Sequence, residues 1–242
     1  MINPFTKATS KGNRQDDGLP ENEQRRAFMR YAGASVAATA LLASACSPDD
    51  TLNPQSGTRG ARLGDTVKLG SGDFAVLNYA YALEQLEAAF YIQAINTGKI
   101  SGDEFLLMVD IRDHEIAHRE FFKKALGAMA IPALTPDFSS IDFSSRIGIL
   151  SAAQAFEDLG VMAYNGAGRY LTTPIYLTLA GKIVSVEARH AAYIRELLVV
   201  NNFSNSVTPD FALDMAKKPS EVLSMAGKFI QEKFDLTGSG LM

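Results

Sequence analysis

Two of the three histidines in this 242-residue chain close the same pattern. Glu84 is followed seven residues later by Tyr91 and then by Glu115-x-x-His118. Glu157 is followed seven residues later by Tyr164 and then by Glu187-x-x-His190. The intervals are 7, 24 and 3 in the first set and 7, 23 and 3 in the second. Residues three apart on a helix lie one turn above each other on one face, so each Glu-x-x-His aims a carboxylate and an imidazole at one point. A carboxylate can bridge two cations and an imidazole fixes one of them, a mixed oxygen and nitrogen set that suits iron and manganese. One half cannot close such a site. A Glu helix and a Glu-x-x-His helix, taken twice, supply the six ligands of a dinuclear centre inside a four-helix bundle. With 12 Glu in the chain, the Glu-x-x-His spacing would recur at two of three histidines by chance in under about 1% of such sequences.

The elements that must position these residues are four long helical segments. The first runs from about Asp73, read as its N-cap, to Gly98, with Leu77, Leu83, Leu86, Phe90 and Ile95 among its apolar positions. The second opens on Ser101-Gly102-Asp103-Glu104, which has the capping-box form, and fades near Gly127. Residues 131–143 form a long connection with Pro132, Pro136 and two Asp-Phe pairs. The third helix starts at Ser144 or Ser145 and ends near Leu171. The fourth starts at Thr173-Pro174, an N-cap followed by proline at the first helical position, and runs to about Val200. Each helix spans about 38 Å at about 1.5 Å per residue, long enough for Glu84, Glu115, Glu157 and Glu187 to meet at one level if the pairs are antiparallel. A last segment, Pro219 to Phe234, repeats apolar residues at helical spacing and reads as a packing helix. Gly166 and Gly168 sit inside the third helix and read as close-packing positions.

Composition fits one domain plus a leader: 47% hydrophobic, 21% charged, net charge −4, a single Cys and no Trp. That charge predicts no nucleic-acid partner, and one Cys excludes an internal disulfide framework. Residues 1–46 have the form of a signal segment. Arg25-Arg26 and Phe28 precede an apolar run from Tyr31 to Ala45, too short to span a membrane comfortably, that ends in Ala43-Ser44-Ala45-Cys46. The pair of arginines resembles a twin-arginine leader. The residues before Cys46 resemble a lipoprotein processing site, although Ala43 stands where Leu is more usual. Lipidation of Cys46 would tether the domain to a membrane surface. The leader holds six basic and four acidic residues. Residues 47–70, rich in Ser, Pro, Gly, Asn and Asp, read as a flexible linker.

On Glu84, Tyr91, Glu115, His118, Glu157, Tyr164, Glu187 and His190, over about residues 72–200, the chain resembles the ferritin-like superfamily, which includes rubrerythrins, bacterioferritins and manganese catalases. It looks closest to exported bacterial ferritin-like proteins. The resemblance implies an all-α fold: a ferritin-like four-helix bundle over 71–202, with a long crossover between helices 2 and 3, and a C-terminal extension over 203–242 carrying one extra helix. It also implies that Glu84, Glu115, His118, Glu157, Glu187 and His190 bind two iron or manganese ions, Glu115 and Glu187 bridging them and Glu84 and Glu157 capping them. Tyr91 and Tyr164 would hydrogen-bond to ligand carboxylates, with plain core tyrosines as the competing reading. Glu87, one turn from Glu84 on the same face, is its rival; the offsets of the repeat select Glu84, and Glu87 could then serve as a supplementary ligand. The implied chemistry is oxidoreductase-type, with Fe(II), dioxygen or peroxide as the small-molecule partner, in the periplasm or cell envelope.

Two other readings stand beside this one. A non-catalytic, stress-related envelope bundle would keep the metal without turnover. His114-Glu115-Ile116-Ala117-His118 is also a literal H-E-x-x-H, the zinc-protease motif. There both histidines bind zinc and Glu115 is the general base. That reading needs a third ligand downstream, and the remaining histidine, His190, lies 72 residues on.

Overall fold

The computed structural model describes residues 65–204, 207–209 and 212–242. The leader over 1–46, with Arg25, Arg26 and Cys46, and most of the linker lie outside the described residues. Four long helices carry the fold: α1 Gly72–Asn96, α2 Gly102–Leu126, α3 Arg146–Ala167 and α4 Pro174–Leu198. α1 packs chiefly on α2, and α3 on α4. The connections are short, long and short, as the spacing of the helical segments predicts. Among the described residues, no helix is long and apolar enough to cross a membrane.

α1 is the central rod. Of its 25 residues 17 are buried, against five of 25 in α2, so α1 is covered on nearly every side. The long crossover supplies part of that cover and is pinned by two polar side chains of α1. Asn78 Nδ2 donates to the carbonyls of Leu69 and Met129, and its Oδ1 accepts from Ile131 N. Gln85 Oε1 accepts from Leu134 N at 2.9 Å. The buried amides therefore match backbone groups that would otherwise be unpaired in a loop lying over a core. The phenylalanines of both Asp-Phe pairs point inward: Phe138 and Phe143 pack on Phe90, and Phe138 also meets Phe156.

Several helix starts use other residues than the sequence predicts. Asp73 lies inside α1 rather than at its N-cap. Its carboxylate accepts from the backbone N–H groups of Thr172 and Thr173 at 2.8 and 2.9 Å, serving the start of α4 instead. The expected capping box of α2 does not form: Ser101 makes no side-chain cap bond. Glu104 instead pairs with Arg146 at the start of α3, with contacts of 2.7 and 2.5 Å. Ser145 does cap α3, accepting from Gly148 N at 3.1 Å. In each corrected case a partner at or just before the start of another helix, charged for Glu104, competes with the local bond and wins. Buried Arg195 of α4 adds another tie, its Nε donating to Asp158 of α3 at 3.1 Å.

The C-terminal extension is shorter in helix than its apolar spacing predicts. Helix α5, Pro219–Ala226, gives way to a 3₁₀ turn at Gly227–Phe229. The chain then straightens, because its backbone has better partners. Gln231 N donates to the Thr135 carbonyl, Glu232 Oε2 accepts from Thr135 N, and Lys233–Asp235 (strand β2) pairs in parallel with Thr66–Lys68 (strand β1). The linker reading is corrected at its end for the same reason: Thr66–Lys68 is a paired strand, with Val67 and Leu69 buried.

Gly166 does the close packing expected of it. A Cβ built there would lie 1.7 Å from the Lys217 carbonyl oxygen, where the segment before α5 crosses α3 and Lys217 N donates to Met162 O. Gly181, inside α4, has open space at the same position. Gly166→Ala should therefore cost about 1–3 kcal/mol by overpacking. Gly181→Ala should raise stability by about 0.4–1 kcal/mol through the unfolded chain and helix propensity. Thermal melts of the two variants check the opposite signs.

Candidate metal centre

Each helix of the bundle brings its carboxylate to one level of the core. Glu84 comes from α1, Glu115 and His118 from α2, Glu157 from α3, and Glu187 and His190 from α4. All four glutamates are 0% exposed and His190 is 5% exposed. Their ligand atoms form two overlapping groups: Glu84, Glu115, His118 and Glu187; and Glu115, Glu157, Glu187 and His190. Within each group one ligand atom per residue lies within 4.8 Å of all the others. Glu115 and Glu187 belong to both groups. Glu84 and Glu157 belong to one each, so the structure brings together all six residues selected by the repeat.

The short approaches in this cluster are not hydrogen bonds. His118 Nδ1 lies 2.9 Å from Glu187 Oε1 and 3.5 Å from oxygens of Glu84 and Glu115. His190 Nδ1 lies 2.9 Å from Glu115 Oε1, 3.4 Å from Glu157 Oε2 and 3.5 Å from Glu187 Oε2. Yet both Nδ1 atoms, both oxygens of Glu115 and of Glu187, and one oxygen each of Glu84 and Glu157 are buried without a hydrogen-bond partner. Buried polar atoms are ordinarily paired. Eight orphaned donor atoms of metal-ligating type, crowded without being aligned on one another, converge on shared points and could hold a metal.

The other oxygens of Glu84 and Glu157 are held by the tyrosines, and the pairing is crossed. Tyr91 of α1 donates to Glu157 Oε1 of α3 at 2.5 Å, and Tyr164 of α3 donates to Glu84 Oε1 of α1. Each tyrosine thus serves the carboxylate of the opposite repeat. Burial and the nearby carboxylates push both phenol pKa values well up, so both stay donors. Glu87, the supplementary candidate, is buried beside the cluster but outside both groups. A Cβ on Gly160 would meet its Oε1 at 3.1 Å, so Gly160 leaves the space that Glu87 fills. Burial first, then the charges of Glu115, Glu157 and Glu187, push the Glu87 carboxyl well above the usual range. Both causes favour its neutral form over a further buried anion.

The same two effects govern the ligands. Burial raises the pKa values of Glu84 and Glu115, and that of Glu157 to about 7, with the charge of Glu187 adding to each. Burial also acts against ionised Glu187, but the two histidines overcome it and hold its pKa at about 2. Burial pulls His118 and His190 down, and the surrounding carboxylates more than reverse that, to about 12 for each.

His114 is not in either group. Its ring meets that of His190 edge to edge with nearly parallel planes, and its Nδ1 lies 2.9 Å from His190 Nε2, on the side of that ring away from the carboxylates. The H-E-x-x-H reading requires His114 and His118 on one ion, and the helix does not present them so. They are four residues apart, but His118 faces the core and His114 faces outward, half-exposed.

Residues 72–199 match the sequence model of a family described as ferritin-like domain. No curated protein matches the chain.

With pKa values of about 12 for His118 and His190 and about 7 for Glu157, protons would occupy lone pairs that a cation needs at neutral pH. Metal uptake should therefore release protons, about two or more per chain at pH 7, and affinity should rise with pH. Calorimetric titration with Mn(II), in buffers of different ionisation enthalpy at pH 6.5 and 7.5, counts them. An affinity indifferent to pH would contradict this charge state.

Proposed function

The chain belongs to the ferritin-like domain family, and from that premise we propose that it holds a dinuclear iron or manganese centre with oxidoreductase-type chemistry toward Fe(II), dioxygen or peroxide. The observation that carries the reading is the pair of overlapping ligand groups sharing Glu115 and Glu187. A zinc protease needs one ion and one carboxylate base; it leaves Glu157, Glu187 and the second repeat without a task. Bound iron or manganese would supply electron exchange with dioxygen, peroxide or incoming Fe(II).

The protein's own residues have separable parts in this reading. Glu115 and Glu187, members of both groups, would serve both positions, and Glu84 with His118, and Glu157 with His190, would close one each. Tyr91 and Tyr164 fix the capping carboxylates by occupying one oxygen of each. That leaves the other oxygen directed at the cluster, an orientation effect worth about 10- to 100-fold in metal affinity in comparable sites. Burial and the neighbouring carboxylates favour a protonated Glu87 carboxyl beside these residues, within the same buried layer. The apolar walls of the bundle keep bulk water from the cluster. The same proposal puts the bundle in the cell envelope, exported by the twin-arginine route and tethered through lipidated Cys46.

The test is metal content on loading with Fe(II) or Mn(II). Wild type should take up about two ions per chain, and Glu157→Ala about one, since one position keeps its full set. Elemental analysis reads both. About one zinc per chain, unaffected by Glu157→Ala, would return the assignment to the H-E-x-x-H motif. Two metals without reaction toward oxygen or peroxide would leave a metal-binding bundle that does not turn over.

A further inference from the structure

His114 has no part in either ligand group, yet it is the hydrogen-bond partner of a residue that has. The two nitrogens of His190 face opposite ways. Nδ1 meets oxygens of Glu115, Glu157 and Glu187 at 2.9–3.5 Å. Nε2 lies 2.9 Å from Nδ1 of His114, and the two rings meet edge to edge with centroids 5.1 Å apart and planes 14° from parallel. An imidazole that gives its Nδ1 lone pair to a cation carries its proton on Nε2. His190 then donates from Nε2, and His114 Nδ1 accepts. His114 thereby selects the tautomer and fixes the ring angle of His190 together.

The other half of the site lacks this support. His118 Nδ1 faces Glu84, Glu115 and Glu187. Its Nε2 makes no hydrogen bond among the described residues. In the repeat, the residue before Glu115 is His114 and the residue before Glu187 is Val186. Valine carries no acceptor, so the repeat breaks at the position that would support His118. The His118 side chain is also 14% exposed, against 6% for His190. Both differences act in one direction.

We propose that His114 is a positioning residue that makes the two metal positions unequal. The position closed by Glu157 and His190 is the tight one; the position closed by Glu84 and His118 is the weaker, exchangeable one. The inference rests on the dinuclear reading above. It assigns the H-E-x-x-H match a task other than zinc hydrolysis.

Anaerobic calorimetric titration of the full-length protein with Mn(II), with electron paramagnetic resonance at one equivalent, tests it. Wild type should bind in two steps at least about 10-fold apart, with a mononuclear spectrum at one equivalent. His114→Ala should weaken the first step by about 10- to 100-fold, the range for removing a histidine's outer partner, and bring the two steps together. Because His114 is half-exposed, that variant should fold, and circular dichroism checks it. His114→Asn places an amide oxygen where Nδ1 stood and should restore much of the first step, which a merely structural role would not. Two steps unchanged in His114→Ala, or both weakened alike, would overturn the inference and leave the dinuclear reading standing. So would two equal sites in wild type. No uptake by wild type would overturn both.

Discussion

Burial of like charge is the constraint on which the rest of this structure depends. Four glutamates at 0% exposure, with a fifth at 3%, occupy one layer of the bundle. Carboxylates so close and so dry cannot all ionise without counter-charge, and the cost of an unpaired buried ion is several kcal/mol. Two imidazoles supply part of the answer. The remainder must come from protons or from metal cations, and the orphaned lone pairs mark where a cation would sit. Desolvation and repulsion set the amount of positive charge required; the angles of the side chains set the places.

Holding that layer requires rigid helices on all sides, which explains the effort spent on α1. Its polar residues Asn78 and Gln85 bind the crossover, its Phe90 anchors the aromatic cluster beneath that crossover, and the C-terminal extension closes over the same loop. Cross-helix ion pairs tie α3 to its neighbours, Asp158 with Arg195 beside the layer and Glu104 with Arg146 at the start of the helix. The tyrosines and His114 form an outer ring of hydrogen bonds that restricts the ligands themselves. Preorganisation at the centre is thus assembled in successive layers.

The four long helices, the long crossover and the six ligand-type residues were legible in the sequence, because spacing on a helix maps directly onto a face. The crossed pairing of Tyr91 with Glu157 and Tyr164 with Glu84 was not. Repeat spacing puts each tyrosine on its own glutamate's helix but carries no information on which carboxylate its hydroxyl reaches across the core. The caps failed similarly: Asp73 and Glu104 have the form of local N-terminal signals, and tertiary partners took both. The C-terminal helix was read too long because apolar spacing also suits a 3₁₀ turn and strand that bury Ile230. The upward pKa shift of Glu87 depends on neighbours far apart in the chain, and the partner of His114 is 76 residues away.

The crossed tyrosine bonds have a consequence for how the bundle opens. Neither repeat holds its own capping carboxylate, so separating α1 and α2 from α3 and α4 breaks both bonds in one motion and divides both ligand groups. No half-opened bundle keeps one good half-site. Integrity of the cluster and closure of the seam are therefore a single cooperative event, and a cation bound across the seam would act as a clasp between two hairpins that share no loop but the crossover.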